Sequence, residues 1–121
     1  MEETAMNLPT EGELLRIFVG ESDLHAHRPL YEVIVEEARK RGMAGATVLR
    51  GVLGFGAHSR VHTAKILRLS EDLPMVIEIV DTAERIEGFV PDLDKWIHEG
   101  MVTVEKVRVI AYRHREDKSR K

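Results

Sequence analysis

Residues 50–60, RGVLGFGAHSR, bring three glycines, two arginines, a histidine and a serine into eleven positions. Glycine admits positive φ and leaves no Cβ between a backbone N–H and a bound anion. Gly51, Gly54 and Gly56, beside Arg50, Ser59, Arg60 and His62, could therefore form a turn that faces a phosphate. The spacing is not that of a Walker loop, and no Gly-Lys-Ser/Thr follows. On residue types alone, a tight turn at a strand end accounts for these glycines equally well.

The remaining chemistry-bearing patterns are weaker. His25-x-His27 and His58-x3-His62 are the close histidine pairs. Neither has a clear third ligand, and a four-residue spacing faces one metal only on a helix, which 57–63 does not resemble, so no metal site is assigned. Ser59 lies between His58 and His62 but lacks an orienting carboxylate, which a nucleophilic triad requires. The carboxylate pairs Glu36–Glu37 and Asp92–Asp94 fall in helical segments and read as solvated faces. Trp96, the single tryptophan, is expected to anchor packing or a subunit contact.

Composition narrows the classes further. At 121 residues with 43% hydrophobic content, the chain suits one globular domain with a real core, and its apolar runs are too short to cross a bilayer. The start, MEETAMNLPTEG, lacks the basic and apolar parts of a signal peptide, and there is no cysteine; a cytoplasmic address is the expectation. A formal net charge of −3 argues against a general nucleic-acid surface. The tail 113–121 is basic and reads as a frayed terminus. Asn7 is the single asparagine and glutamine is absent, while 32% of residues are charged, a pattern seen in heat-adapted proteins.

These residues need elements to position them. ELLRIFVG (13–20) predicts a strand and ESDLHAH a polar loop. A helix is expected from Pro29, with Leu30, Val33, Ile34 and Ala38 on one face and Gly42 as its stop. Thr47–Leu53 predicts a second strand, AKILRL (64–69) a strand extension or ordered loop, and MVIEIV (75–80) a third strand. Asp81 or Thr82 can cap a second helix carrying Ile86, Phe89, Val90, Leu93 and Ile97, with a kink or restart expected at Pro91. MVTVEKVRVIAY (101–112) predicts the last strand, and its shift of apolar parity points to a bulge near Glu105–Lys106. The order β-α-β-β-α-β predicts an α+β, ferredoxin-like split βαβ sandwich: one antiparallel sheet with two helices on one face. The expected organisation is a flexible start (1–12), one domain (13–112) and the tail (113–121).

Over residues 13–112, the runs GATVLRGVLGFGAHSRVHTAKILRLSEDLP and VIEIVD resemble the PII signalling superfamily, in its branch of small PII-like proteins of unassigned function. The resemblance implies a homotrimer whose sheets line a central core. It also implies that a small ligand, typically an adenine nucleotide, binds in the clefts between subunits. Gly54, Phe55 and Gly56 match the GFG at the base of the PII T-loop, residues 57–74 match the loop itself, and Glu78 matches the acidic position in the strand that follows. Ala57 and His58 stand where Arg and Gln are usual. The span 57–74 lacks the tyrosine that PII proteins modify, and HEGMVTVEK, with Glu99 and Gly100, lacks the basic phosphate grip before the last strand. A smaller nucleotide or another ligand therefore fits better than tightly held ATP.

The expected activity is non-catalytic: ligand binding around Arg50, Gly54, Phe55, Gly56, His58, Arg60, Glu78 and Gly100, with no catalytic residue, no metal and no cofactor beyond a bound adenine nucleotide. Loop 57–74 is presented to a target, of which a membrane transporter is one kind; no nucleic-acid partner is expected. Two alternatives differ in class. One is a protein-interaction adaptor without ligand, using Ile66, Leu67 and Leu69. The other is an acylphosphatase-like hydrolase, which shares the fold and could use Arg50 or Arg60 but lacks an asparagine to orient the attacking water.

Overall fold

A computed structural model of the chain describes residues 11–56 and 72–113. The strand extension expected at 64–69, most of the T-loop-like span, His58 and Arg60 lie outside the described residues.

The elements in order are β1 (Glu11–Gly20), β2 (Leu24–His25), β3 (Arg28–Pro29), α1 (Leu30–Lys40), β4 (Thr47–Arg50), β5 (Pro74–Asp81), α2 (Ala83–Trp96) and β6 (Met101–Arg108). The main sheet runs β4-β5-β1-β6 with every pairing antiparallel. This is the ferredoxin-like split βαβ topology expected from the element order.

Strand alternation explains the layers. Leu15, Ile17 and Val19 of β1 and Met75, Ile77 and Ile79 of β5 face one side. There they pack with Leu30, Ile34 and Ala38 of α1 and Ile86, Phe89 and Leu93 of α2 in a single buried core. The opposite side carries Leu14, Phe18, Val76, Val80, Leu49 and Met101 around an Arg16–Glu78 ion pair of 2.9 Å.

Each helix ends for a local reason. Gly42 (φ +71°) follows the C-cap Arg41, its N–H donates to Arg39 O, and the Met43 N–H donates to Ala38 O, which is the Schellman arrangement that favours glycine. Pro29 is the residue before α1 rather than its first helical residue; its fixed φ and missing N–H suit either position. Thr82 caps α2 by accepting the Arg85 N–H at 3.2 Å. Asp81, fully buried, instead accepts from the Ala44 and Thr82 N–H groups at 2.8 and 2.7 Å, tying the α1–β4 loop to the start of α2.

Four expectations need correction. Of the kink or restart expected at Pro91, the restart does not occur: α2 runs through Pro91 as one element, with Phe89 and Leu93 on either side in the same buried core. No bulge interrupts β6: its register with β1 is unbroken from Met101 to Arg108. The parity shift carried no geometric information because β6 is an edge strand, exposed along most of both faces. The second strand stops at Arg50, where the chain turns against Pro74; a Cβ on Gly51 would lie 2.7 Å from the proline Cγ. The polar loop after β1 holds a hairpin, β2–β3, whose turn residues Ala26 and His27 both have positive φ, as a type I′ turn requires.

Candidate functional site

One end of the sheet gathers the C-terminal ends of β1 and β4 with the N-terminal ends of β5 and β6. Over it lies a cavity of about 610 Å³, within the range that ligand sites occupy. Phe18, Val19, Phe55, Pro74 and Met101 supply its apolar walls, and Asp23, Asp72, His98 and Glu99 its polar groups. Among the described lining residues there is no lysine or arginine.

Glycines let these walls approach one another. Gly100 has φ +148°, and a Cβ there would sit 2.4 Å from the Phe18 carbonyl oxygen. A Cβ on Gly54 would meet Pro74 Cγ at 3.0 Å, whereas one on Gly56 would meet nothing within 4 Å. Gly51 N–H donates to Pro74 O at 2.7 Å, fixing the start of the 51–56 stretch to β5. Asp23 Oδ2 accepts the Gly20 N–H at 2.9 Å, and Asp72 Oδ1 accepts from the N–H and Oγ of Ser22 at 3.0 and 2.9 Å.

Four of the eight expected site residues come together here: Gly54, Phe55, Gly56 and Gly100 all line the cavity. Arg50 does not line it; its guanidinium pairs with Glu21 at 3.1 Å. Glu78 lies on the sheet side away from the helices and is held by Arg16, outside the cavity lining. His58 and Arg60 lie outside the described residues.

Asp23, Asp72 and His98 were not anticipated. Asp23, three residues past the end of β1, is a local turn signal that could have been read. Asp72 reaches Ser22 across fifty residues, and no local pattern announces such a contact. Among the described residues no three His, Asp or Glu side chains are grouped to hold a metal, and no helix is long and apolar enough to cross a membrane.

The clearest charge perturbations lie on the helices and the residues beside them, outside the cavity lining. Asp92 is held below the usual carboxylate range, first by its hydrogen bond from Arg41, whose own pKa is raised. Glu36 is lowered likewise by Arg28, which grips it with two parallel hydrogen bonds of 2.9 and 2.7 Å. Arg41 also stacks over Phe89, 4.9 Å from the ring centre, so it fastens the end of α1 to α2. Trp96 packs edge-on to Phe89 and near His25 of the hairpin, which gives it a packing role within the chain.

Fold and site define a small α+β protein of ferredoxin-like topology with a ligand-sized cavity at one sheet end, walled by glycine-rich backbone and carboxylates. Residues 12–109 match the DUF190 family, described as uncharacterized ACR, COG1993, and the chain belongs to that family. It is similar to a UPF0166 protein of Aquifex aeolicus, 39% identical over 98 residues, covering 81% of this chain and 92% of the relative. A UPF0166 protein of Methanocaldococcus jannaschii is 32% identical over 100 residues, covering 82% and 92%.

Proposed function

We propose that the chain is a non-catalytic, PII-like regulatory protein of the cytoplasm. It forms a homotrimer and binds a small adenine-containing ligand where subunits meet. The segment 57–74 is presented to a target, of which a membrane transporter is one candidate.

The observation that carries this reading is the meeting of Gly54–Phe55–Gly56 with Gly100 on one cavity of ligand size. Stretches more than forty residues apart supply backbone without Cβ atoms to the same space, as close approach to a flat ligand requires. The apolar sheet side bearing Leu14, Phe18, Val76 and Val80 supports assembly, because a second copy could bury it together with its Arg16–Glu78 pair.

A second reading, an adaptor without ligand, draws on the exposed run Val52, Leu53 and Phe55, three large apolar side chains beside the edge strand β4. Thermal unfolding with AMP, ADP, ATP and cyclic nucleotides separates the two. The sensor predicts stabilisation that saturates, worth about 2.7 kcal/mol at a hundred-fold excess over Kd. A flat response to every nucleotide supports the adaptor instead. Gly56→Val, placed where a Cβ meets nothing, is expected to remove the response and leave the assembly intact.

A further inference from the structure

We infer that β6 pairs edge to edge with β6 of a second copy, antiparallel and about a two-fold axis at Thr103. The contact is separate from the cavity and from the three-fold assembly proposed above, and it joins such trimers in twos.

An edge strand leaves a row of backbone N–H and C=O groups without partners, and natural sheets guard such rows with short strands, proline, bulges or charge. At one edge of the main sheet β4 is guarded by its length: it has four residues and ends where the chain turns against Pro74. At the other edge β6 has eight residues, no proline or glycine, and an unbroken register with β1. Its charges stand in the second half, at Glu105, Lys106 and Arg108; Met101–Val104 carries none. No described residue pairs with the outer edge of β6.

The side chains point to the same seam. Val102 and Val104 face the helix side directly beside Ile17 and Leu15, both 0% exposed, yet they are 36% and 44% exposed themselves. No β6 residue belongs to the buried core, which therefore ends in mid-sheet on an apolar step. A further strand laid beside β6 covers that step and pairs the backbone groups together.

Self-complementarity identifies the strand. With the axis at Thr103, Val102 faces the partner's Val104, Val104 faces the partner's Val102, and Thr103 faces the partner's Thr103 on the other side of the sheet. Such β-branched and Thr–Thr pairs stabilise cross-strand neighbours. An axis at Val104 would set Val102 against the partner's Lys106. Axes at Glu105 or Lys106 would oppose like charges, and an axis at Val102 would bring Glu99 to the partner's Glu105. Thr103 is the centre that joins apolar to apolar and opposes no like charges. An edge of this length buries less than the roughly 1,200 Å² of a standard stable interface, so pairing grows with protein concentration and the three-copy species prevails when dilute.

Sedimentation of the full-length protein over a wide concentration range counts the copies. Six copies at the upper end support both the pairing and the three-fold assembly. Two copies support the pairing and remove the three-fold assembly, whereas three at every concentration do the reverse. One copy at every concentration overturns both. Thr103, exposed at the axis, then tests the surface itself. Thr103→Lys and Thr103→Glu each set a like charge against its own copy and should weaken pairing at least about five-fold, while an equal mixture of the two should pair again. An even-numbered species that neither variant weakens, or a mixture that does not regain it, overturns the assignment to β6. Amide exchange in the wild type needs no variant: protection over 101–105 that rises with the even-numbered species supports the seam, and unchanged protection there overturns it.

Discussion

Replacing Gly100 with alanine tests the geometry of the cavity wall at one atom. Gly100 sits one residue before β6 with φ +148°, and an added Cβ would lie 2.4 Å from the Phe18 carbonyl oxygen and 3.2 Å from Ile97 Cγ2. The carbonyl is backbone of β1, so relief requires β1 and β6 to part at the cavity. Backbone strain of this kind costs roughly 1–3 kcal/mol, and the overlap adds to it, so a loss of about 3 kcal/mol is expected. At about 4 °C per kcal/mol for a domain of this size, Tm falls by roughly 12 °C. Two further glycines separate the causes. Gly42 has φ +71° but open space around a Cβ, so Gly42→Ala isolates conformational strain and is expected to cost about 1 kcal/mol. Gly56 has neither constraint, and Gly56→Ala should stay within about 0.5 kcal/mol of wild type. The assay is urea unfolding of all three at one protein concentration, since assembly makes stability depend on it. If Gly100→Ala loses no more than Gly42→Ala, the close approach of Gly100 to β1 is refuted.

Two further outcomes follow from the same contacts. Asp81→Ala orphans the part-buried N–H groups of Ala44 and Thr82 and should lower unfolding stability by about 1–3 kcal/mol; Asp81→Asn, which keeps one acceptor oxygen, should lose less. Asp92 and Glu36 have carboxyl groups held below the usual range, so their stabilisation is complete above the unfolded carboxylate pKa of about 4 and is lost as pH falls through the lowered folded values. Stability measured between pH 6 and pH 2 should therefore decline on the acid side, and less steeply in Asp92→Asn, Glu36→Gln; an identical slope would show that these pairs do not contribute.

Most of the fold was legible because burial and periodicity coincide. The alternating MVIEIV segment lies on the core on one side only, and the Leu30–Ile34–Ala38 stripe faces one direction, so each period reports a real layer. Legibility failed where burial does not constrain the chain. In β6 both faces are largely exposed, so parity says nothing about register. At Ala26–His27 a type I′ turn forms without the usual Asn-Gly, and the hairpin leaves no compositional mark. The glycines of the cavity could be read as a site because their type implies close backbone approach. The carboxylate pair could not, because Asp72 meets Ser22 and Gly20 only through the fold. Arg50 and Glu78 illustrate the converse: a charge chosen by its sequence neighbours is spent on Glu21 and Arg16, partners remote in sequence.

Native mass spectrometry of the purified protein tests the central claim most directly. The expected species has three times the 13.8 kDa chain mass and carries a small guest whose added mass disappears in Gly56→Val. A single copy at every concentration, unchanged in mass when adenine compounds are added, would contradict it.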